Sequence, residues 1–156
     1  MTITIRQAHT EDAEIIARFN EAIAWESEGV RLDGPRLRRG VAAVLRDAAR
    51  GVYYLAERGG EVVGQTLVTY EWSDWRNGVF WWIQSVYVEP AHREAGVFRR
   101  LFEHVRDAAR RDSTVCGLRL YVDHDNERAR QVYRRLGLTE ARYAMMEEDF
   151  VLVSGE

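Results

Sequence analysis

The chain has no lysine: all 22 of its basic residues are arginine, set against 25 acidic residues in a length of 156. Sequence alone does not separate genome composition from function as the source of that bias. The net charge of −3 and the scatter of the arginines give no general attraction to nucleic acid. Cysteine is nearly absent. Cys116 stands alone, which excludes an internal disulfide and a zinc site of several thiolates, and its place before an apolar strand marks it as core. No apolar run approaches the roughly 18 residues of a membrane span. The start, Met1-Thr2-Ile3-Thr4-Ile5-Arg6, lacks the basic segment and long apolar stretch of a signal peptide, so a cytoplasmic protein is expected. His9, His92, His104 and His124 show no ligand spacing, and no metal site is expected. With no glycine-flanked nucleophilic serine, covalent hydrolase chemistry has no anchor.

What is present suits one globular domain. At 46% hydrophobic and 30% charged residues the chain can build an ordinary core, and no linker, repeat or low-complexity segment divides residues 1–156. Ile3 and Ile5 alternate with Thr4 and Arg6 as in a short strand, and Thr10-Glu11-Asp12 opens a helix with Ile15, Ile16, Phe19 and Ile23 on one face. Asp33-Gly34-Pro35 starts a second helix, with Leu37, Val41, Val44, Leu45 and Ala48 aligned. Strands over Val52–Glu57, Val62–Glu71 and Val79–Val88 are joined by Gly59-Gly60 and Asn77-Gly78 into an antiparallel meander. Because Val79-Phe80-Trp81-Trp82-Ile83 is apolar at every position, the last of these strands is expected to be central and covered on both faces. A helix near Gly96–Arg110, a strand near Cys116–Val122 and a helix from about Asn126, capped by Gly137, come next. Leu138–Val153 has room for one or two more strands. The order β-α-α-β-β-β-α-β-α-β(-β) is that of a mixed α/β domain.

A helix that begins directly after a buried strand aims its free N–H groups and the positive end of its dipole beyond the strand. Here that turn is Arg93-Glu94-Ala95-Gly96-Val97-Phe98, followed by Arg99 and Arg100. Its glycine and arginines suit a pyrophosphate. It lacks the GKS/T ending of a nucleoside-triphosphate loop and the three glycines of a dinucleotide fingerprint.

The run Val86-Tyr87-Val88-Glu89-Pro90-Ala91-His92-Arg93-Glu94-Ala95-Gly96 resembles the acetyl-CoA signature of the GCN5-related N-acetyltransferase (GNAT) family. In that family a valine-rich strand, a proline and a Q/R-x-x-G-x-G/A turn hold the cofactor. Leu118-Arg119-Leu120-Tyr121-Val122, followed by Asn126, Ala129, Tyr133 and Gly137, resembles the family's second signature, a strand and an N-x-x-A-x-x-x-Y-x-x-x-G helix. With the element order, the likeness covers nearly the whole chain. It implies a mostly antiparallel central sheet flanked by helices, an N-acetyltransferase activity, acetyl-CoA as cofactor, and a homodimer. It assigns Val86 and Val88 to backbone bonding of the pantetheine arm, with an N–H near Tyr87 or Val88 on the thioester carbonyl. The turn from Arg93 through Glu94, Ala95, Gly96, Val97 and Phe98 to Arg99 would cradle the pyrophosphate, and Asn126 would contact the cofactor. Tyr133 would give a hydrogen bond or proton to the departing thiolate. Reference pKa values of about 10 for tyrosine and about 8.5 for a thiol make full transfer uphill by roughly 2 kcal/mol, which favours the hydrogen bond.

Two positions depart from the family pattern: Phe98 replaces the closing Gly or Ala, and Glu94 stands at a common glycine. They keep open a non-catalytic acyl-CoA sensor as the alternative. On the acceptor side, an alkylamine is about one part in a thousand neutral at pH 7 and must lose a proton. Tyr121 occupies the place of the catalytic glutamate that some family members carry, so the base is sought elsewhere or is water. The candidates are Glu71 first, then Asp74, Glu26 and Glu28, each of which could also be a solvated surface charge. Acidic groups interleaved with Trp72 and Trp75 suit a cationic small-molecule amine or free amino group, and the same tryptophans equally suit a dimer contact.

Overall fold

The computed structural model describes residues 1–152, which divide into two compact units, one running from Met1 to Tyr121 and one beginning at Val122. The first contains β1 (Ile3–Gln7), α1 (Ala13–Glu28), α2 (Gly34–Arg46), β2 (Val52–Arg58), β3 (Glu61–Ser73), β4 (Gly78–Val88), α3 (Val97–Arg111) and β5 (Val115–Leu120). The sheet order is β1-β2-β3-β4-β5. Successive pairs from β1 to β4 are antiparallel, as the short Gly59-Gly60 and Asn77-Gly78 turns require, and β5 joins β4 in parallel because α3 carries the chain back.

Alternation along β2 decides which helix covers which face. Tyr53 and Leu55 are buried with Ile16 of α1 and Val41 of α2. Tyr54, on the opposite face, meets His104 of α3 with ring centroids 5.3 Å apart. The helical spacing of Val97, Leu101, Phe102 and Val105 buries one side of α3, each large side chain contributing about 1.5–3 kcal/mol. Gly64 of β3 lets α3 approach: a Cβ there would lie 3.1 Å from Val97 and 3.6 Å from Leu101. Among the described residues, no helix is long and apolar enough to cross a membrane.

The expectation for the Val79–Ile83 run needs correcting. The middle strand is β3, and β4 lies between it and β5. Phe80 and Ile83 are buried, but Val79, Trp81 and Trp82 stay partly exposed, because α1 and α3 do not close both faces at this end. The second unit contains α4 (Glu127–Arg135). Its end follows the sequence: Gly137 takes φ 97° while the Leu138 N–H reaches back to the Tyr133 carbonyl at 3.0 Å. Between Leu138 and Leu152 no strand forms, against expectation. Asp149 bends the segment by accepting the Val151 and Leu152 N–H groups at 2.7 and 2.8 Å. Val153, the last residue of that expected strand region, lies outside the described residues.

Candidate functional site

The site begins where β4 stops being an ordinary strand. From Val79 to Ile83 it pairs with β3 on one side and with β5 on the other, the last β5 pair being Ile83 with Leu120. Beyond Ile83, among the described residues, only the β3 pairing continues. There Gln65 faces Tyr87 while Leu67 faces Gln84, so β4 carries one residue more than β3 across the interval. The extra residue falls at Ser85, which takes φ 49°. The bulge is held by side chains of β3: Gln65 Nε2 donates to the Ser85 carbonyl and Thr66 Oγ1 to the Gln84 carbonyl, each at 3.1 Å. Past it, Tyr87 packs on Phe19 of α1, and burial raises its phenol pKa first, with Glu26 and Glu89 adding to the shift. The segment from Gln84 to Val88 thus has a strand on one edge and is open toward the side that β5 has left.

The turn after β4 presents backbone to that side. Glu94 and Gly96 both have left-handed backbones, φ 66° and 82°, and the first intrahelical bond of α3 runs from the Arg100 N–H to the Gly96 carbonyl. The N–H groups of Val97, Phe98 and Arg99 therefore lie ahead of the helical ladder, at the positive end of the α3 dipole. Nothing lies within 4 Å of a Cβ built on Gly96. A depression of about 490 Å³ is lined here by Ala95, Gly96, Arg99 and Arg100 together with Met1, Thr2, Ile3 and Glu103. The Phe98 ring turns along its own helix toward Phe102, 6.2 Å between centroids, which leaves the backbone of the turn accessible. Arg93 is engaged otherwise than its family position implies. Its Nε donates to the Val88 carbonyl at 2.9 Å, its outer nitrogen pairs with Glu26 at 2.8 Å, and its guanidinium stands over the Tyr87 ring.

Of the acceptor candidates, Glu71, Trp72 and Asp74 lie beside the other half of β4, whereas Glu26 is paired with Arg93 next to Tyr87 and Val88. Glu71 pairs with Phe80 and Trp72 with Val79 across the β3–β4 ladder. Glu71 is ion-paired with Arg119, whose guanidinium stacks on Phe80 at 3.7 Å. Trp72 is exposed, Asp74 caps the hairpin turn by accepting the Trp75 N–H, and Glu26 and Glu28 end α1 in solvent. Tyr121 lies against Trp82, ring centroids 4.4 Å apart. Glu71 and Glu26 are each ion-paired with an arginine at the surface.

In the second unit, Asn126 is the N-cap of α4, its Oδ1 accepting the Ala129 N–H at 3.1 Å. Tyr133 is half-buried, and burial pushes its phenol above the ordinary tyrosine value. Among the described residues no group of three or more His, Cys, Asp or Glu side chains is placed to hold a metal ion.

A bulged strand opening onto a helix N-terminus now has a family context. The model of the acetyltransferase (GNAT) family matches residues 13–138. The chain belongs to that family. GNAT proteins use acetyl-CoA, and this chain is an acetyl-CoA-dependent acetyltransferase. It is 42% identical to a possible acetyltransferase from Clostridium difficile 630, with a TM-score of 0.89 over 97% of this chain and 99% of that one. It is 29% identical over 142 residues to YhfO, an uncharacterised N-acetyltransferase of Bacillus subtilis, covering 88% of this chain and 91% of the relative. The fold also matches a predicted acetyltransferase from Clostridium acetobutylicum solved with acetyl-CoA, at 16% identity and a TM-score of 0.77, over 94% of this chain and 96% of that one.

The residues present fit that donor. The edge of β4 past Ile83 offers backbone to an amide-bearing arm, and the left-handed turn with its Cβ-free Gly96 offers N–H groups to a diphosphate. Motif reading missed the residues that shape this GNAT site from beneath. Gln65, Thr66 and Ser85 make the bulge, and Gly117 admits the Phe80 ring, since a Cβ there would lie 2.7 Å from it. One signal was present: Gln65-Thr66 is an adjacent polar pair set between Val62-Val63-Gly64 and Leu67-Val68 in the middle of the strand.

Proposed function

We propose that the chain acetylates the primary amine of a small molecule or a free amino group in the cytoplasm, by direct attack of the amine on the donor. The observation that carries this is the open β4 edge from Gln84 to Val88 running into the turn at Glu94–Gly96. Val86 and Val88 hold the arm of the donor by their backbones, and the N–H groups at the start of α3 hold its diphosphate. Bound acetyl-CoA supplies the acyl carbon: the amine nitrogen forms a C–N bond, the C–S bond breaks, and the amine proton leaves to a base. Glu71 takes that proton through water, Arg119 holding its carboxylate in place; Trp72, Asp74, Glu26 and Glu28 frame the cationic acceptor.

Tyr133 donates a hydrogen bond to the departing sulfur. Burial raises its phenol further above the roughly 8.5 of a thiol, so the proton stays on oxygen and the contact is a hydrogen bond rather than a transfer. Thiol release from acetyl-CoA across a panel of polyamines, arylalkylamines, amino sugars and peptide N-termini tests the function. Turnover of at least one class is expected, with Tyr133→Phe lowering kcat about 10- to 100-fold and leaving acetyl-CoA affinity unchanged. Tight acetyl-CoA binding with no turnover on any of these amines refutes the reading.

A further inference from the structure

We propose that Gln65 and Thr66 are positioning residues for acyl transfer: by gripping the two bulge carbonyls they turn the Val86 N–H onto the open edge of β4. This rests on the acetyl-donor site argued above, moves the hydrogen-bond donor to the thioester carbonyl from the neighbourhood of Tyr87 and Val88 to the Val86 N–H, and adds two residues of a neighbouring strand.

At the bulge one residue of β3, Thr66, opposes two residues of β4, so the β3 backbone has too few donors for the carbonyls it faces. The two carbonyls affected are those of Gln84 and Ser85, and each takes its donor from a side chain, Thr66 Oγ1 and Gln65 Nε2. Adjacent side chains of a strand leave it on opposite faces, so the bulge is gripped from both. Among the described residues every peptide bond is trans. In a planar trans unit the carbonyl and the following N–H point in opposite directions. A Ser85 carbonyl drawn toward Gln65 therefore sends the Val86 N–H away from β3, to the side where β5 pairing has ended at Ile83.

The burial of these side chains marks them as something other than ordinary packing. Gln65 is 0% and Thr66 1% exposed. Glutamine is seldom found fully enclosed. Among the described residues Gln65 Oε1 has no hydrogen-bond partner, so half of the amide is desolvated without return while the other half holds Ser85. An apolar residue of similar size would pack there without an unsatisfied atom. What it would not do is fix the direction of one peptide plane, and a backbone donor aimed at a carbonyl that gains charge is worth most when its direction is fixed beforehand.

The test uses the whole chain, acetyl-CoA labelled with ¹³C at the thioester carbonyl, and the best amine of the panel. Infrared spectra report the hydrogen bond on that carbonyl as a downshift of its stretch. For Gln65→Leu and Thr66→Val the downshift is expected to shrink by about half or more and kcat to fall about 10- to 100-fold, while the acetyl-CoA dissociation constant moves less than about 3-fold. Thr66→Ser, which keeps the hydroxyl, restores both. Folded variants with the full downshift and full kcat overturn the proposal. Should either variant fail to fold, amide hydrogen exchange in the wild type decides: the Val86 amide gains protection on adding acetyl-CoA, and an unchanged Val86 amide overturns it. If the wild type binds acetyl-CoA with the downshift yet acetylates no amine, the acceptor reading fails and the positioning role stands.

Discussion

The two halves of β4 are built by opposite rules. From Val79 to Ile83 the strand is paired on both edges, and its contacts are rings and guanidinium groups: Arg119 and Arg76 over Phe80, Tyr121 against Trp82, Tyr70 against Trp81. From Gln84 to Val88 it is paired with β3 alone, and its shape is set by buried hydrogen bonds from Gln65 and Thr66. Stacked surface rings shift at little cost, whereas a buried hydrogen bond has one good geometry. The half assigned to the donor is the fixed one, and the half beside Glu71, Trp72 and Asp74 is adaptable. That arrangement suits an acetyltransferase whose donor is constant and whose acceptor is bound separately, as proposed above.

The largest effect comes from breaking the first half. Gly117→Val pushes a side chain into Phe80, whose Cε1 lies 2.7 Å from the position of the new Cβ. A loss of about 2–3 kcal/mol is expected in denaturant titrations, with acetyl-CoA affinity of the remaining folded protein preserved. Equal losses in both measurements would show the halves to be one unit. A smaller effect sharpens the second half. Gly96→Ala meets no neighbour but forces a Cβ into φ 82°, at a cost of about 1–2 kcal/mol, and raises KM for acetyl-CoA. Glu94→Gly relieves the same kind of strain and removes a negative charge from the turn, so acetyl-CoA binding is expected to tighten several-fold, more at low salt than at high. Calorimetric titration of the pair checks both signs.

The smallest effect belongs to neither half. Burial against Tyr54 keeps the His104 pKa below its ordinary value, with Arg111 adding to the shift. The unfolded chain binds that proton near pH 6.5 and the native one only at lower pH, so stability is full above about 6.5 and declines as pH falls below it. His104→Gln is expected to flatten the decline in unfolding midpoints measured across that window.

Sequence carried most of the architecture and the outline of the donor site. Alternation gave β1 to β3, helical spacing gave α1 to α3, and the Gly59-Gly60 and Asn77-Gly78 dipeptides gave both hairpins, because each signal is local. The bulge left no such mark. One extra residue changes no composition, and Ser85 is not the glycine that would advertise a positive φ. Glu94 hides a left-handed backbone behind a charged letter. Asn126 shows the opposite difficulty: an asparagine before Glu127-Arg128-Ala129 is equally what a helix cap requires, and capping Ala129 is what its side chain does. In the tail, Tyr143, Met145, Met146 and Phe150 supplied the apolar letters of a strand, but Glu147-Glu148-Asp149 interrupts them and Asp149 binds its own backbone instead.

The arginines around the turn, Arg93, Arg99 and Arg100, have one further consequence. A guanidinium never becomes a free amine in the working range of a protein, whereas a lysine crowded by burial or other cations loses its proton readily and becomes a nucleophile. A lysine placed beside a bound thioester would compete with every legitimate acceptor and cap itself with an acetyl group. Since all 22 Lys-or-Arg positions are arginine, no side chain of this enzyme carries a primary amine for its own reagent to acylate.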